Sequence, residues 1–490
     1  TTYEEVWRTV LINTDETGDW NYPGVVSVLA NGDLYVIFGY QIARINAQTG
    51  EVIQQEVLPV IAPARDTSYN GFTVLRDGTI IAKTVSRETG CELQGFSAFL
   101  QCPNPQNVPT SLMVAIDPET LDVIAQIPVA EPAFGRITST HYNGVDYIYL
   151  AGFDNLFRYT FGDDNTFMFD EAWGFVPYRM EGQTGGTAIA VMNDWVVVQT
   201  NSTPSRMPLS VMVASQSDST ITYRLDPFAD SPNPISFIPS MLTVDPENNR
   251  IYAQDAGAGR VAALDFDPEH GLTVAWMVEQ TTLHFTTLVG PESARVLVAT
   301  DVPGFSLSAL GNGEAQMENV VWRDAETGME LARSGDLPPM TSGVLVTPGY
   351  AGRFYYLGLA GDIFELYPQQ FIAQSASEES AGTNEEMGYR AGLYDTAFPT
   401  DRADLNGGKT GLQGGFPRGT TVDDVAVELI EMPYPVILYT REPDEIFVFG
   451  GTPLGIEDYV SRADGLPAGE NETTPYFAKY NPNTGGNHLP

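Results

Sequence analysis

Between Val25 and Leu58 the chain reads VVSVLANGDLYVIFGYQIARINAQTGEVIQQEVL, four β-rich stretches separated by tight turns, and looser copies follow to the C-terminus. This repeat constrains the fold more than any other feature. One four-stranded antiparallel unit cannot cover both of its faces, so successive copies must stack. The first turn of each copy is marked by Asn31-Gly32, Asp77-Gly78, Asn143-Gly144, Asn193-Asp194 and weaker equivalents. Asn-Gly predicts a type I′ hairpin, with positive φ at both central residues. A second turn recurs later in each copy. It runs Asn46 to Gly50, Asp117 to Thr120, Gly162 to Asn165, Asp226-Pro227, Asp267 to Gly271, Asp324 to Gly328, a degenerate Tyr367-Pro368, and Asn481 to Gly485.

Four short strands per copy, with no apolar stripe at helical spacing, predict an all-β fold, the β-propeller. The last copy stops after its third strand at FAKYNPNTGG, and the N-terminus opens with a lone strand, YEEVWRTVLIN. Joining the two completes a blade and removes the exposed edges of the ring. The expectation is one eight-bladed propeller over 1–490, closed by pairing of the N- and C-terminal strands. Seven blades is the alternative if the copy around Tyr367-Pro368 is incomplete. Residues 376–424 carry no clear strand and are expected to form a long insertion between the last two blades. It should cross one face of the ring beside the mouth of the channel.

The chain carries 63 acidic against 24 basic residues, a net charge of −39, and only three of the basic residues are Lys. A field of that sign excludes nucleic acid and anionic membranes as partners. It fits a surface adapted to high salt. No run of 18 apolar residues predicts a membrane-spanning helix. The chain starts at Thr1 without a signal peptide, as a processed protein or a trimmed one would. Cys91 and Cys102 share one loop, so a disulfide is sterically easy; it predicts a periplasmic or extracellular protein.

The second turn with its flanks, as in Ala43-Arg44-Ile45-Asn46-Ala47-Gln48-Thr49-Gly50 and Trp322-Arg323-Asp324-Ala325-Glu326-Thr327-Gly328, is similar to the repeat of quinoprotein-type (PQQ-repeat) propellers. The resemblance is spread over most of the chain and is degenerate. It implies an eight-bladed fold and raises the prospect of a quinone cofactor, PQQ, with calcium in the channel. The sequence departs from the family's dehydrogenases in two ways. Cys91 and Cys102 are not vicinal, and the Trp that closes each repeat is replaced at Gln54, Ala125 and Ala332. No Cys-x-x-Cys-His is present, so no c-type haem is expected.

In a propeller the d–a loops converge on the channel mouth, the usual ligand position. Here they supply Trp20, Arg65, Asp66, Arg136, Arg179 and Arg418 as candidate ligand-binding residues. Guanidinium groups aimed at one mouth would hold a carboxylate or sulfate. His284, His141 and Tyr69 are the candidate proton-transfer groups. Asp401, Asp404 and Asn406 offer closely spaced oxygens and could hold calcium. Gly407-Gly408-Lys409-Thr410 lacks the leading Gly of a P-loop and is set aside. Three functional classes remain. One is an extracytoplasmic propeller binding a small anion, a saccharide or a protein partner. The others are a quinoprotein-like oxidoreductase and a lyase or hydrolase of acidic polysaccharide. Whether the protein is an enzyme stays open at this stage.

Overall fold

The structure is a computed structural model. It describes all residues except 1–2, 12–24, 62, 94–101, 103–106, 186–187, 203–206, 233, 235–241, 307, 310–315, 341–345, 359–361, 373–390, 395, 397–409, 412–413, 418, 423, 432–434, 451–475 and 483–490. Eight sheets follow one another around the ring, each built on four antiparallel strands, a to d, and two of them carry a fifth, two-residue strand, Val176–Pro177 in one and Thr410–Gly411 in the other. Blade 1 comprises Val25–Val28, Leu34–Phe38, Gln41–Ile45 and Val52–Val57. Blade 2 comprises Thr67–Val74, Ile80–Ser86, Leu112–Ile116 and Val123–Pro128. Blade 3 is Thr138–Tyr142, Val145–Ala151, Asn155–Phe161 and Phe167–Phe169, and blade 4 is Ile189–Met192, Trp195–Gln199, Val211–Ser215 and Thr222–Leu225. Blade 5 is Thr243–Asp245, Arg250–Asp255, Arg260–Asp267 and Gly271–Glu279, and blade 6 is Thr287–Val289, Val296–Asp301, Asn319–Asp324 and Glu330–Arg333. Blade 7 is Thr347–Pro348, Phe354–Leu357, Asp362–Pro368 and Val425–Glu431. Blade 8 takes Pro435–Thr440, Ile446–Gly450 and Tyr476–Asn481 from the C-terminal end and Glu4–Val10 from the N-terminal end.

The fold is therefore an eight-bladed β-propeller, and the termini share a blade as the repeat predicts: Trp7 lies opposite Lys479 and Val10 opposite Tyr476. Strands a of blades 1 to 6 pack against their neighbours in sequence and stand nearest the axis. They are buried throughout in blades 1, 2 and 4, whereas strand d of blade 1 is half exposed. Hydroxyls tie inner strands of neighbouring blades together: Thr73 Oγ1 to Ser139 Oγ at 2.6 Å, and Thr243 Oγ1 to Thr286 Oγ1 at 2.7 Å. A hydrophobic cluster fills every seam. Tyr35, Ile42, Phe72 and Val114 join blades 1 and 2, and Val26, Ala43, Phe447 and Phe477 join blades 8 and 1.

The turn of the repeat has a packing role. The Trp7 indole lies where a side chain on Gly50 would be, since a Cβ there would stand 2.6 Å from it. Its Nε1 donates to the Ala47 carbonyl at 3.3 Å. Trp276 does the same at the seam of blades 5 and 6, over Gly328, with Nε1 donating to the Ala325 carbonyl at 3.1 Å. Both glycines have positive φ, +74° and +75°. The Thr-Gly of the repeat thus serves both the left-handed turn and the close approach of an aromatic from the preceding blade.

Three expectations need correction. At Asn31-Gly32 only Gly32 has positive φ, so the turn is not type I′. Asn31 instead spends its side chain locally, accepting from the Asp33 N–H at 3.0 Å and donating to Tyr35 Oη at 2.9 Å. At Asn143-Gly144 both φ values are positive, as type I′ requires. In blade 4 the c–d turn is 216–221, and Asp226-Pro227 follows strand d. The insertion at 376–424 lies not between the last two blades but inside blade 7, because strand c (Asp362–Pro368) pairs with Val425–Glu431 as strand d. The degenerate copy is a full blade whose fourth strand is displaced by the insertion.

Candidate functional site

Alternating strand direction puts the a–b and c–d turns on one face of the ring and the b–c and d–a loops on the other. The insertion leaves from a c–d position, so it lies on the first face, opposite the d–a mouth. It runs across that face as a strap. Ala30 N–H donates to the Gly392 carbonyl and Tyr394 N–H to the Val28 carbonyl, both at 2.9 Å, at the a–b turn of blade 1. Gly392 sits against Val74 and the Leu75 carbonyl of blade 2. Tyr394 Oη donates to Glu442 at 2.6 Å and Thr396 Oγ1 to the Arg441 carbonyl at 2.8 Å, in blade 8. At its other end Thr410–Gly411 pairs in parallel with Leu288 and Val289, the inner strand of blade 6. Phe416 packs with Phe371 in the cluster between blades 6 and 7. Blades 2 and 6 are diametrically opposed in a ring of eight, so the described parts of the insertion touch inner strands on opposite sides of the ring.

The other face is built differently. Long connections between strands b and c arise in alternate blades: 87–111 in blade 2, 200–210 in blade 4, 302–318 in blade 6 and 451–475 in blade 8. The odd blades turn within 39–40, 152–154, 256–259 and 358–361. The blade 2 loop contains the disulfide Cys91–Cys102, with Cα atoms 6.2 Å apart. Asp66 and Arg87, both fully buried, form an ion pair at 2.8 Å that ties the d–a loop to this b–c loop. Arg87 also donates to the Leu93 carbonyl at 2.7 Å, and Asp66 accepts from the Gly90 N–H at 3.3 Å. Asp66 is thus a structural partner of the loop. Reducing the disulfide is expected to destabilise the protein by about 2–3 kcal/mol, the loop being short, read as a fall in denaturation midpoint.

The other described candidates have partners within the chain. Arg65 is half exposed and pairs with Glu92 at 3.2 Å. Arg179 pairs with Asp154 and donates to the Phe153 carbonyl at 2.9 Å and the Gln183 carbonyl at 3.1 Å. Tyr69 is buried and donates to the Pro59 carbonyl at 2.6 Å; burial pushes its hydroxyl far above the usual range. His141 ends strand a of blade 3, at the face carrying the strap, with Nδ1 2.6 Å from Asp146 and Nε2 2.8 Å from Arg76. His284 is on the d–a side but buried, with Nε2 3.1 Å from Glu318. Trp20, Arg418, Asp401, Asp404 and Asn406 lie outside the described residues.

Two buried groups were not anticipated. Glu318 holds His284 and accepts from the Met340 N–H at 3.2 Å. Lys83 is fully buried in strand b of blade 2, with Nζ 3.0 Å from Asn70 Oδ1 and 2.8 Å from the Ala133 carbonyl. Desolvation, with the Arg136 guanidinium adding to it, pulls its ammonium down to about 7. A lone Lys inside the apolar strand IIAKTVS was the available signal. Replacing it with Met is expected to stabilise the protein above pH 7, where the wild-type amine is neutral and an amine is exchanged for apolar packing. The gain should be largest below pH 7, where folding buries the charged ammonium, and should shrink as pH rises from there toward the ordinary Lys value of about 10.4, a range in which folding strips the proton. Denaturant titrations at pH 6 and pH 8 measure both.

The residues proposed for calcium, Asp401, Asp404 and Asn406, lie outside the described residues. The disulfide closes a b–c loop, and among the described residues no group of three or more His, Cys, Asp or Glu is placed to hold a metal ion. Among the described residues no helix is long and apolar enough to cross a membrane, which leaves β-barrel insertion unaddressed.

No protein-family model matches this chain, and no curated protein does. Among solved structures the chain is similar to BamB from Moraxella catarrhalis, at 10% identity over 98% of this chain and 100% of that one, with a TM-score of 0.48. It is similar to the β-propeller domain of Cps50 (Swd1) from Myceliophteria thermophila, at 9% identity over 73% of this chain and 97% of that one, TM-score 0.43. It is also similar to a putative 6-phosphogluconolactonase from Bacteroides uniformis, at 14% identity over 71% of this chain and 92% of that one, TM-score 0.40. Likeness at this level concerns the propeller fold alone, and the eight-bladed assignment rests on the strand pairing above.

Proposed function

We propose that this protein is an extracytoplasmic binding propeller that engages a protein partner through its b–c and d–a face. The observation that carries the reading is the strap. Its described parts lie against the a–b and c–d face at blades 1, 2 and 8 and take up the inner edge of blade 6, so the opposite face is the one left for recognition. That face bears the long loops of alternate blades, one of them held by a disulfide and a buried ion pair. Rigid loops on a scaffold are the common form of a recognition surface. The disulfide supports the location outside the cytoplasm. Arg65 and Arg179 are committed to in-chain carboxylates, which disfavours a small-anion site made by them.

The test compares the two faces. A photo-cross-linking side chain is placed at Glu92 or Glu181, exposed on the loop face, and at Glu119 or Asp164, exposed on the turn face. After irradiation in the source organism's own extract, adducts of one defined mass are expected from the first pair only. Adducts from Glu119 or Asp164 alone would refute the assignment of the face. Titration with sulfate and with oligogalacturonate should give no saturable heat. Saturable binding that Arg179→Ala abolishes would instead support the small-anion or saccharide reading.

A further inference from the structure

Neighbouring connections of blades 2, 3 and 4 on the loop face are bonded to one another, and they leave apolar side chains at the surface. Phe134, between blades 2 and 3, packs on the cluster of Val85 and Cys91 together with Cys102. Its ring meets that of Phe153, in the b–c turn of blade 3, at a centroid distance of 6.3 Å. Glu131 holds that turn by accepting from the Asp154 N–H at 2.8 Å and the Asn155 N–H at 3.1 Å. The Arg179 guanidinium lies over the Phe153 ring, 4.5 Å from its centroid. Next in the chain, Met180 N–H donates to Gln183 Oε1 at 2.9 Å. Gln183 Nε2 donates to the Pro208 carbonyl at 2.6 Å and to Ser210 Oγ at 2.8 Å. Gln183 is buried, so its amide fixes the d–a connection of blade 3 to the b–c connection of blade 4. Met180 and Met207, one on each connection, are 43% and 39% exposed, and Phe134 and Phe153 are half-buried.

We infer that this strip, from Phe134 and Phe153 to Met180 and Met207, is the contact surface of the loop face, and that it takes a protein segment presenting apolar side chains among Lys or Arg. The inference rests on the loop face being the one that recognises a partner. A single exposed apolar residue is ordinary. What marks the strip is that its backbone is already held by hydrogen bonds, so docking there orders little more of the chain. Unbranched, polarizable thioethers adapt to the shape of an apolar partner. The basic component follows from charge. Arg179 is matched by Asp154, whereas Glu131, Glu181 and Asp226 border the strip with no ion pair among the described residues. The excess of 63 acidic over 24 basic residues adds a field of the same sign at longer range. Such a field draws in a cationic segment and turns away an acidic one.

Fluorescence anisotropy with two short labelled peptides, one alternating Lys with Leu and the other Lys with Ser, tests this. The Lys–Leu peptide is expected to bind saturably, about tenfold or more tighter than the Lys–Ser peptide, as burial of its apolar side chains allows. Met180→Ser combined with Met207→Ser should weaken that binding by about tenfold. Met317→Ser is the control: Met317 is 48% exposed on the same face at blade 6, and its loss should change nothing. An unaltered thermal midpoint shows that the variants fold. No saturable binding of the Lys–Leu peptide, equal binding of the two peptides, or binding that the paired Met substitutions leave intact would overturn the strip. Failure of the face reads separately. Cross-link adducts from Glu92 that persist undiminished in the paired Met variant would overturn the strip and leave the face standing. Peptide binding that the paired Met variant weakens, with cross-link adducts from Glu119 or Asp164 alone, would support the strip and overturn the face.

Discussion

Trp7→Ala should destabilise the folded ring by about 3–5 kcal/mol, the range for removing a large aromatic from a packed site. The indole stacks against Phe477 at a centroid distance of 6.2 Å, tilts against Phe447 at 6.0 Å, and covers the backbone of Gly50. It is carried by the one strand that the N-terminus contributes to the last blade, so its loss weakens closure as well as packing. Gly50→Ala tests the same contact from the other side. The new Cβ would stand 2.6 Å from the indole and 3.0 Å from Thr9 Oγ1, in a backbone at φ +74°. A loss of about 2–4 kcal/mol is expected, of which roughly 1 comes from the left-handed backbone. Equilibrium unfolding in urea measures both. A double mutant no worse than Trp7→Ala plus the backbone contribution would show that the two act through one contact.

The second large effect is at Glu445. This carboxylate is buried at the seam of blades 8 and 1 and receives Arg441 Nε at 2.6 Å, Arg441 Nη2 at 2.9 Å, Lys479 Nζ at 2.6 Å and Gln48 Nε2 at 3.1 Å. Arg441 Nη1 continues to the Gly32 carbonyl at 2.6 Å, so the node joins both blades. Burial, the largest influence, would raise the carboxyl, but hydrogen bonds and charge from Arg441 and Lys479 together hold it below its ordinary value. Glu445→Gln leaves two buried cations without a counter-charge and should cost about 3–5 kcal/mol. Adding Lys479→Met should restore part of that loss. The folded carboxyl is the stronger acid, so its contribution is full above the ordinary carboxylate range and is lost as pH falls through the folded value. The wild type should therefore lose stability on acidification below about pH 4.3 with a steeper slope than Glu445→Gln.

The architecture was legible because its signals are local. The Asn/Asp-x-x-Thr-Gly turn recurs in chain order, and the odd strands at the two ends need each other. What escaped was non-local. Strand d of blade 7 is separated from strand c by the insertion, so VAVELIE could not be assigned to that blade by spacing. Placing 376–424 beside the wrong mouth followed from that one missed strand. The candidate site suffered in a similar way. Loop position places Asp66 and Arg179 near a mouth, but only the fold brings Arg87 and Asp154 to them. His284 was visible as a titratable residue near a first strand, whereas its partner Glu318 is distant in sequence and sits at the end of another loop.

The strap meets blade 1 at Leu393 and blade 6 at Thr410–Gly411 and Gly415. Two cysteine pairs test this directly, since no described cysteine is free in the native protein. Leu29 and Leu393 are bridged through their backbones, and a Cβ at Gly415 would stand 3.6 Å from that of Ala294, within the span of a disulfide. Leu29→Cys with Leu393→Cys, and Ala294→Cys with Gly415→Cys, should each oxidise under mild conditions in the folded protein. The result is read by intact mass as the loss of two hydrogens per pair. Both bonds forming without loss of thermal stability is the predicted result. Thiols that stay free in either pair while the ring remains folded would contradict a strap across that face.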